Sequence, residues 1–157
     1  MNLEKKHVLD FLKDHKLMAI ATHGDFPWIA TVYYTFDDNL SLYFLSNPNT
    51  LHCQHIHKNN KVAVSIADSR QNINQLKKGL QISGIAEQIS DIEKIKHALK
   101  IWKDFLKVED RELSYENMIK KVITSRIYKI TPKRIKLFNQ ELFNVEDGEE
   151  PVMELYW

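Results

Sequence analysis

Three short segments with the composition of β-strands follow one another near the start of the chain, separated only by turns. Residues 17–22 (LMAIAT) are a compact apolar run, and residues 28–36 (WIATVYYTF) are dense in β-branched and aromatic side chains. Residues 40–45 (LSLYFL) complete the set. The turn residues between them are too few for a crossover, and parallel pairing needs a connection of a dozen or more residues. The pattern therefore predicts an antiparallel meander of three strands.

Three more segments carry strand signals later in the chain. They are residues 61–67 (KVAVSIA), residues 79–89 (GLQISGIAEQI) and residues 125–138, the last bent at Pro132 because proline cannot donate a hydrogen bond to a neighbouring strand. Residues 152–157 (VMELYW) suit one further short strand. Sequential strands with few crossovers favour a closed or half-closed antiparallel barrel with helices outside. The expected fold class is mainly β with α.

Four segments carry helix signals. Residues 3–15 are amphipathic, with Asn2 as a candidate N-cap. A capping box begins at Ser90, and behind it apolar residues recur at intervals of three and four through residues 92–106. A shorter helix is expected from residue 114 to about residue 121. These helices are expected to lie around the barrel.

The fourth helix is expected between the third and fourth strands. An asparagine followed by a proline is a helix-start signal, with Asn47 as the N-cap and Pro48 at the first helical position. The sequence predicts that this helix runs to about His57.

Length and composition indicate one domain, residues 1–157, and exclude several classes of protein. The formal net charge is +1, no apolar stretch reaches the roughly 20 residues of a membrane span, and the N-terminus lacks a secretory signal core. Cys53 is the single cysteine, which suits a reducing compartment. The four glycines are too scattered for a P-loop or a dinucleotide-binding fingerprint. We expect a cytoplasmic protein.

The segment 52–57 (HCQHIH) contains three histidines and the cysteine, and this composition invites a metal site. On a helix, however, His52 and His55 share a face while His57 lies well round from them. No second pair of ligands stands at zinc spacing elsewhere in the sequence. We therefore predict no metal site and expect these histidines at the surface or at an interface.

The start of the helix near residue 48 is a candidate anion site. Free N–H groups and the positive end of the helix dipole favour a phosphate there, and Ser46, Thr50 and His52 would add side-chain donors. The alternative is that Ser46 and Thr50 only help Asn47 to cap the helix. The local sequence leaves both interpretations open.

A run of basic residues precedes a run of acidic ones near the end of the chain. The basic residues are Arg126, Lys129, Lys133, Arg134 and Lys136, and the acidic residues are Glu141, Glu146, Asp147, Glu149, Glu150 and Glu154. The basic run could bind nucleic acid, but nearby acidic side chains would repel phosphates. We predict no nucleic-acid partner.

One motif connects the strand and helix signals. A strand ends at Ser46, a short turn leads to Thr50, His52 follows, and the next strand begins NKVAV at residues 60–64. With the strands before it and GLQISGIAEQI after it, this pattern resembles the flavin-binding split-barrel family related to pyridoxamine 5′-phosphate oxidase, particularly its small bacterial members of unassigned substrate. The resemblance implies a six-stranded antiparallel split β-barrel with peripheral helices and FMN as the cofactor.

The resemblance also implies the cofactor site. In the family a strand that corresponds to residues 30–35 lies along the flavin ring, and the turn with its two hydroxyls holds the phosphate. The implied cofactor-binding residues are Ala30, Thr31, Val32, Tyr33, Leu45, Ser46, Asn47, Thr50, Leu51 and His52.

Two positions depart from the family pattern. His52 stands where many members have lysine or arginine against the flavin phosphate. Ala30 and Thr35 stand where pyridoxamine phosphate oxidases carry arginine and lysine on the ring-facing strand. Pyridoxamine phosphate is therefore not the expected substrate, and no side chain is singled out as catalytic.

Two functions follow from the resemblance. The first is an FMN-dependent oxidoreductase that acts on an unidentified small molecule. The alternative is a non-enzymatic module that holds flavin, or haem through His55 or His57, for storage or sensing. The resemblance implies a homodimer with the flavin near the subunit boundary. Candidate interface aromatics are Trp28, Tyr33, Tyr34, Trp102, Tyr156 and Trp157.

Overall fold

The computed structural model describes residues 3–68, 70–120, 123–146 and 148–157, and within these ranges it contains four α-helices and eight β-strands. Predictions that involve Asn2, Lys121 or Asp147 lie outside the described residues. The elements in chain order are α1 (Leu3–Asp14), β1 (Leu17–His23), β2 (Pro27–Tyr33), β3 (Thr35–Phe36), β4 (Leu42–Ser46), α2 (Leu51–Lys58), β5 (Lys61–Ala67), β6 (Lys78–Gln88), α3 (Ile92–Leu106), α4 (Tyr115–Ile119), β7 (Arg126–Asn139) and β8 (Val152–Tyr156).

The strands form one antiparallel sheet that curls into a half-barrel. Its hydrogen-bonded path runs β2-β1-β5-β6-β7-β4-β3, and β8 pairs with the C-terminal half of β7. The two ends of this path, β2 and β3, are separated in the chain by Tyr34 alone. Because one residue spans at most about 3.5 Å, the sheet must bend until its ends meet. This confirms the predicted half-closed antiparallel barrel.

The predicted strand count of six is wrong, because one expected strand splits and the C-terminal segment adds β8. The split occurs at Tyr34, which is fully buried and donates its hydroxyl to the Leu12 carbonyl. Beyond Tyr34 the chain changes partner and β3 pairs with β4. The predicted meander is therefore present only in part: the first half of the expected middle strand, β2, pairs with β1, its second half, β3, pairs with β4, and the two halves lie at opposite ends of the sheet path.

Alternate side chains of the strands and the apolar faces of the helices fill the interior of the half-barrel. In β1 these inward positions are Met18, Ile20 and Thr22. Tyr34 and Trp102 also belong to this core, with exposed fractions of 0% and 8%. Both were candidate interface aromatics, and that prediction is wrong for these two residues because the core already covers them.

Strand β7 bends where the sequence predicts it. Ser83 pairs with Arg134 but Gly84 pairs with Pro132, so Lys133 is an extra residue on β7. One extra residue is the defining feature of a β-bulge, which kinks the strand and increases its twist. Strand β7 pairs with β4 in its first half, before the bulge, and with β8 in its second half.

Helix α3 begins one residue later than the capping box implies. The Asp91 carboxylate accepts a hydrogen bond of 2.9 Å from the backbone N–H of Lys94, which makes Asp91 the N-cap. The predicted role of Ser90 is therefore wrong. A carboxylate at this position also lies at the positive end of the helix dipole, an advantage that a serine hydroxyl lacks.

The assignment of Asp91 as the N-cap of α3 can be tested against Ser90. Replacing Asp91 with alanine should lower the free energy of unfolding by about 1 kcal/mol, because it removes the acceptor for an N–H at the helix start. Ser90→Ala should change it by less than about 0.3 kcal/mol, since surface positions without such a role are close to neutral. Urea denaturation of both variants makes the comparison, and equal losses would contradict the assignment.

None of the helices in the described ranges is long and apolar enough to cross a lipid bilayer.

Candidate functional site

The segment between β4 and α2 folds as a turn and leads into a helix that starts later than predicted. The Asn47 side-chain oxygen accepts the Asn49 N–H at 2.9 Å, and the Asn47 carbonyl accepts the Thr50 N–H at 3.0 Å. Helix α2 then starts at Leu51, with Thr50 as the N-cap. Asn47 is therefore not the cap and Pro48 is not the first helical residue, because the turn takes up the Asn47 side chain.

This turn brings Ser46, Thr50 and His52 together. The distance from Ser46 Oγ to His52 Nε2 is 2.7 Å, from Thr50 Oγ1 to His52 Nε2 it is 3.2 Å, and from Ser46 Oγ to Thr50 Oγ1 it is 3.3 Å. Ser46 and His52 are buried and Thr50 is half-buried. We call these three side chains the hydroxyl–imidazole cluster.

The protons in this cluster can be assigned by counting donors. Thr50 donates its hydroxyl proton to the Asn47 carbonyl at 2.8 Å, so its oxygen can only accept from the other two groups. Ser46 has one hydroxyl proton. All three contacts are satisfied only if His52 carries a proton on Nε2 and shares it between the Ser46 and Thr50 oxygens, while Ser46 donates to Thr50. The cluster therefore selects the Nε2–H form of His52.

The same geometry does not support the interpretation of Ser46 and Thr50 as capping side chains. The side chain of Thr50 makes no capping hydrogen bond, because its proton points back to Asn47. The Ser46 hydroxyl contacts Thr50 and His52 and caps no backbone group of α2 in this network. The first-turn N–H groups of α2 are thus not occupied by the N-cap side chain. Such groups are the ones that bind anions.

Residues from β4 and β7 extend the cluster and had no local sequence signal. Tyr128 stacks on Phe44 with ring centroids 5.2 Å apart, and the Phe44 ring lies 6.3 Å from the ring of His52. Arg126 is directly opposite Ser46 in the β4–β7 register, and its Nη1 donates to the Ile123, Thr124 and Ser125 carbonyls. Only the pairing of β4 with β7 brings Tyr128 and Arg126 here, and sequence separation hides that pairing.

Cys53 lies beneath this cluster and is fully buried. Burial raises the pKa of its thiol, but the polar groups of four neighbouring side chains lower it by more, so that the pKa is about 7 instead of 9.0. These neighbours are His52, Ser46, Thr50 and Tyr128. Burial and the contact with Cys53 raise the pKa of Tyr128, which keeps its hydroxyl protonated as a donor.

The lowered pKa of Cys53 predicts that the stability of the protein depends on pH. An acidic group whose pKa is lower in the folded state stabilises the fold fully above its unfolded pKa and loses that contribution as the pH falls through the folded pKa. For Cys53 this window lies between pH 9 and pH 7, and the free energy of unfolding should fall by about 2 kcal/mol across it. Denaturant titrations at intervals through this range measure the slope.

The variant Cys53→Ser is the control, because serine keeps the volume and the hydrogen bonds but does not titrate in this range. Its stability should be nearly independent of pH between 7 and 9. An identical slope in both proteins would show that another group is responsible.

The three histidines of α2 contact three different places. His52 is buried against Ser46, His55 Nδ1 lies 3.2 Å from Thr22 Oγ1, and His57 Nε2 lies 3.5 Å from the Tyr128 hydroxyl. The expectation that these histidines lie at the surface or at an interface is therefore wrong for His52, which is buried within the chain itself. In the part of the chain that the structure describes, no three His, Cys, Asp or Glu side chains are grouped as metal ligands.

The predicted ring-side residues lie on an edge strand. β2 pairs with β1 alone, so one row of its backbone N–H and C=O groups faces away from the sheet. β2 also packs against α2 and β4, the elements that carry the hydroxyl–imidazole cluster. Ala30 and Val32 are half-buried, whereas Thr31 and Tyr33 are exposed. Leu45 is half-buried at the end of β4, and Leu51 is exposed at the start of α2.

The basic run is partly neutralised by the acidic segment. Arg134 makes two hydrogen bonds to the Glu154 carboxylate, at 2.7 and 3.1 Å, and Lys136 pairs with Glu150 at 2.6 Å. Lys129 lies over the ring of Tyr43. The acidic side chains that the sequence predicts near the basic run thus form ion pairs with Arg134 and Lys136.

Comparison with solved structures agrees with this architecture. A candidate pyridoxamine 5′-phosphate oxidase from Listeria innocua is 23% identical with a TM-score of 0.65, over 85% of this chain and 96% of that one. A NimC/NimA family protein from Clostridium acetobutylicum is 18% identical with a TM-score of 0.61, over 97% and 92%. A heme binding protein from Mycobacterium smegmatis is 11% identical with a TM-score of 0.73, over 99% and 59%. At these identities the likeness shows the fold.

Sequence comparison gives the family. A search of curated proteins finds no match for this chain. The family model for pyridoxamine 5′-phosphate oxidase, in contrast, matches residues 4–139, which include β1 to β7 and the hydroxyl–imidazole cluster. The chain therefore belongs to the pyridoxamine 5′-phosphate oxidase family.

Proposed function

We propose that this protein binds FMN and acts as an FMN-dependent oxidoreductase on a small molecule other than pyridoxamine 5′-phosphate. The observation that carries the proposal is the convergence of Ser46, Thr50 and His52 at a helix start whose N-cap side chain makes no capping bond. Membership of the family supports the choice of FMN.

The donors at this helix start fit the phosphate end of FMN in their chemistry. Two hydroxyls, an imidazole N–H and the first-turn backbone N–H groups are all phosphate donors. Arg126 is the register partner of Ser46 and adds a positive charge to this end of β7, where its Nη1 donates to the carbonyls of residues 123–125. Because the side chains of the cluster already satisfy one another, a bound phosphate would replace their mutual contacts, and the Thr50 hydroxyl would donate to it in place of the Asn47 carbonyl.

The ring of FMN would lie along β2. An edge strand leaves backbone N–H and C=O groups available on one side, and these groups can bond the polar edge of a flavin. Ala30, Thr31, Val32 and Tyr33 would border it. The flavin supplies hydride or electron transfer when bound, and the chain's own part is to hold the ring and exclude water.

The structure also supports the exclusion of pyridoxamine phosphate. Thr35, which stands where the family's oxidases carry a lysine, is 1% exposed and donates its hydroxyl to the Ile101 carbonyl at 3.4 Å. The side chain of Ala30 has no polar group. Neither side chain can therefore supply the positive charge that the arginine and lysine of those oxidases carry.

A spectrum of the freshly purified protein, followed by titration with FMN, tests the proposal. We expect flavin absorbance that bleaches with NADH, NADPH or dithionite and returns with an acceptor. Failure to bind added FMN would contradict the proposal, and bound flavin without turnover across a panel of acceptors would leave a binding module. A Soret band would identify haem, but His55 is held by Thr22 and packs against Gly24.

A single buried free thiol is in keeping with a reducing compartment, and we place the protein in the cytoplasm.

A further inference from the structure

His55 connects α2 to the hairpin that β1 and β2 form. Its Nδ1 lies 3.2 Å from the hydroxyl of Thr22, which is buried near the end of β1 and is opposite Trp28 of β2 in the register. Its ring lies over Gly24, the first residue after β1. The turn to β2 is closed there by a hydrogen bond of 3.3 Å from the Gly24 N–H to the Phe26 carbonyl. The imidazole thus contacts both the end of β1 and the turn itself.

The position of this ring explains why residue 24 is a glycine. A Cβ at Gly24 would lie 2.4 Å from His55 Nε2, 2.7 Å from Cδ2 and 2.9 Å from Cε1. Carbon atoms in contact are normally about 3.5–4.0 Å apart, so any larger residue here must displace the imidazole. Gly24 does not have a positive φ. The contact with the ring, and not a left-handed backbone, therefore accounts for the missing side chain.

The helix that carries His55 also carries His52 of the hydroxyl–imidazole cluster. Residues three apart are neighbours on one face of a helix, so less than one turn of α2 joins the two histidines rigidly. On the other side of the contact, β2 begins at Pro27, three residues after Gly24. His55 therefore lies between the two ends of the proposed FMN site, which are the phosphate end at the cluster and the ring end along β2.

The start of β2 has little else to fix its position. In the described part of the chain, the hydrogen-bonded neighbour of this edge strand is β1 alone. Its first three residues, Pro27, Trp28 and Ile29, are exposed, and so is Phe26 in the turn before it. The contact of His55 with Thr22 and Gly24 is thus an important tie between the hairpin and α2.

We propose that His55 is a positioning residue that sets the preference of the site for FMN over riboflavin, and this inference rests on the proposed function. FMN gains from its phosphate only if the ring and the phosphate reach their donors together, because the second contact then costs no further translational freedom. By holding the start of β2 against α2, His55 fixes the distance between the two ends. Riboflavin uses the ring end alone, so its affinity does not depend on that distance.

Fluorescence titrations with FMN and with riboflavin test the proposal in the wild type, His55→Ala and Gly24→Ala. Both substitutions should lower the ratio of FMN affinity to riboflavin affinity about tenfold, while riboflavin affinity changes less than about threefold. A purely structural role would weaken both flavins alike. The matched controls are His97→Ala, at an exposed histidine of α3, and Gly79→Ala, where a Cβ meets no close contact. Both controls should keep the wild-type ratio.

The effects of the two substitutions should not add. The Cβ that Gly24→Ala introduces acts by displacing the imidazole, and in the His55→Ala background there is no imidazole to displace. The double variant should therefore match His55→Ala in its ratio of affinities within about twofold. A further fall of about tenfold in the double variant would overturn the proposal, because residue 24 would then act through another contact.

The outcomes separate this inference from the proposed function. If the wild type binds FMN more tightly than riboflavin and His55→Ala keeps that ratio, the role of His55 is overturned and the proposed function stands. A wild type that binds no FMN, or that binds riboflavin equally well, would contradict the proposed site and this inference with it. Circular dichroism confirms that each variant is folded, and if His55→Ala is not, Gly24→Ala carries the comparison.

Discussion

Replacing Gly84 with alanine should lower the free energy of unfolding by about 2–3 kcal/mol, the cost of forcing extra volume into a packed site. A Cβ at this position would lie 2.6 Å from the Thr131 carbonyl oxygen and 3.1 Å from Ile130 Cγ2. The carbonyl belongs to the backbone of β7, at the bulge where Gly84 pairs with Pro132, and it cannot move without disturbing the sheet. Guanidinium denaturation of the purified variant measures the loss.

Gly79→Ala is the matched control in the same strand. Its Cβ would meet only the Ile66 carbonyl oxygen, at 3.7 Å, which is an ordinary van der Waals contact. Stability should stay the same or rise by up to about 1 kcal/mol, because alanine restricts the unfolded chain. Equal effects of the two substitutions would show that the close approach at Gly84 is relieved by a movement of β7.

The parts of the fold that the sequence predicts are those that depend on local pattern. Strand β5, helix α3 and the bend at Pro132 lie where their residues indicate. The pairing of β4 with β7 depends instead on contacts between residues 80 to 88 positions apart, for which a single sequence carries no signal. The split of the predicted strand at Tyr34 also depends on distant residues. Its aromatic side chain suits a strand, yet it fills the core under α1.

The residues of the candidate site also divide into those that local sequence pattern predicts and those that depend on the pairing of distant strands. Ser46, Thr50 and His52 come together because a short turn joins them, and the sequence already placed them near one another. The exact helix start was missed because a competing turn takes the Asn47 side chain. Tyr128 and Arg126 reach the cluster only through the β4–β7 pairing. Local motifs thus predict the hydroxyl–imidazole cluster, and the fold adds the aromatic rings beside it and the pairing of Ser46 with Arg126.

The second large effect is expected on FMN affinity. Ser46→Ala, Thr50→Ala and His52→Ala should each raise the dissociation constant of FMN about 10- to 100-fold, because each removes one charge-assisted hydrogen bond to the phosphate. Fluorescence titration measures this constant, and His97→Ala, at an exposed histidine of α3, is the control. Riboflavin lacks the phosphate, so it should bind more weakly than FMN and respond to none of these substitutions.

The variant His52→Lys tests what the imidazole at this position does. A lysine ammonium is also a phosphate donor, so His52→Lys should keep FMN binding within about tenfold of the wild type, whereas His52→Ala should weaken it. Riboflavin that binds as tightly as FMN, or an FMN affinity that is unchanged in His52→Ala, would place the phosphate elsewhere on the protein.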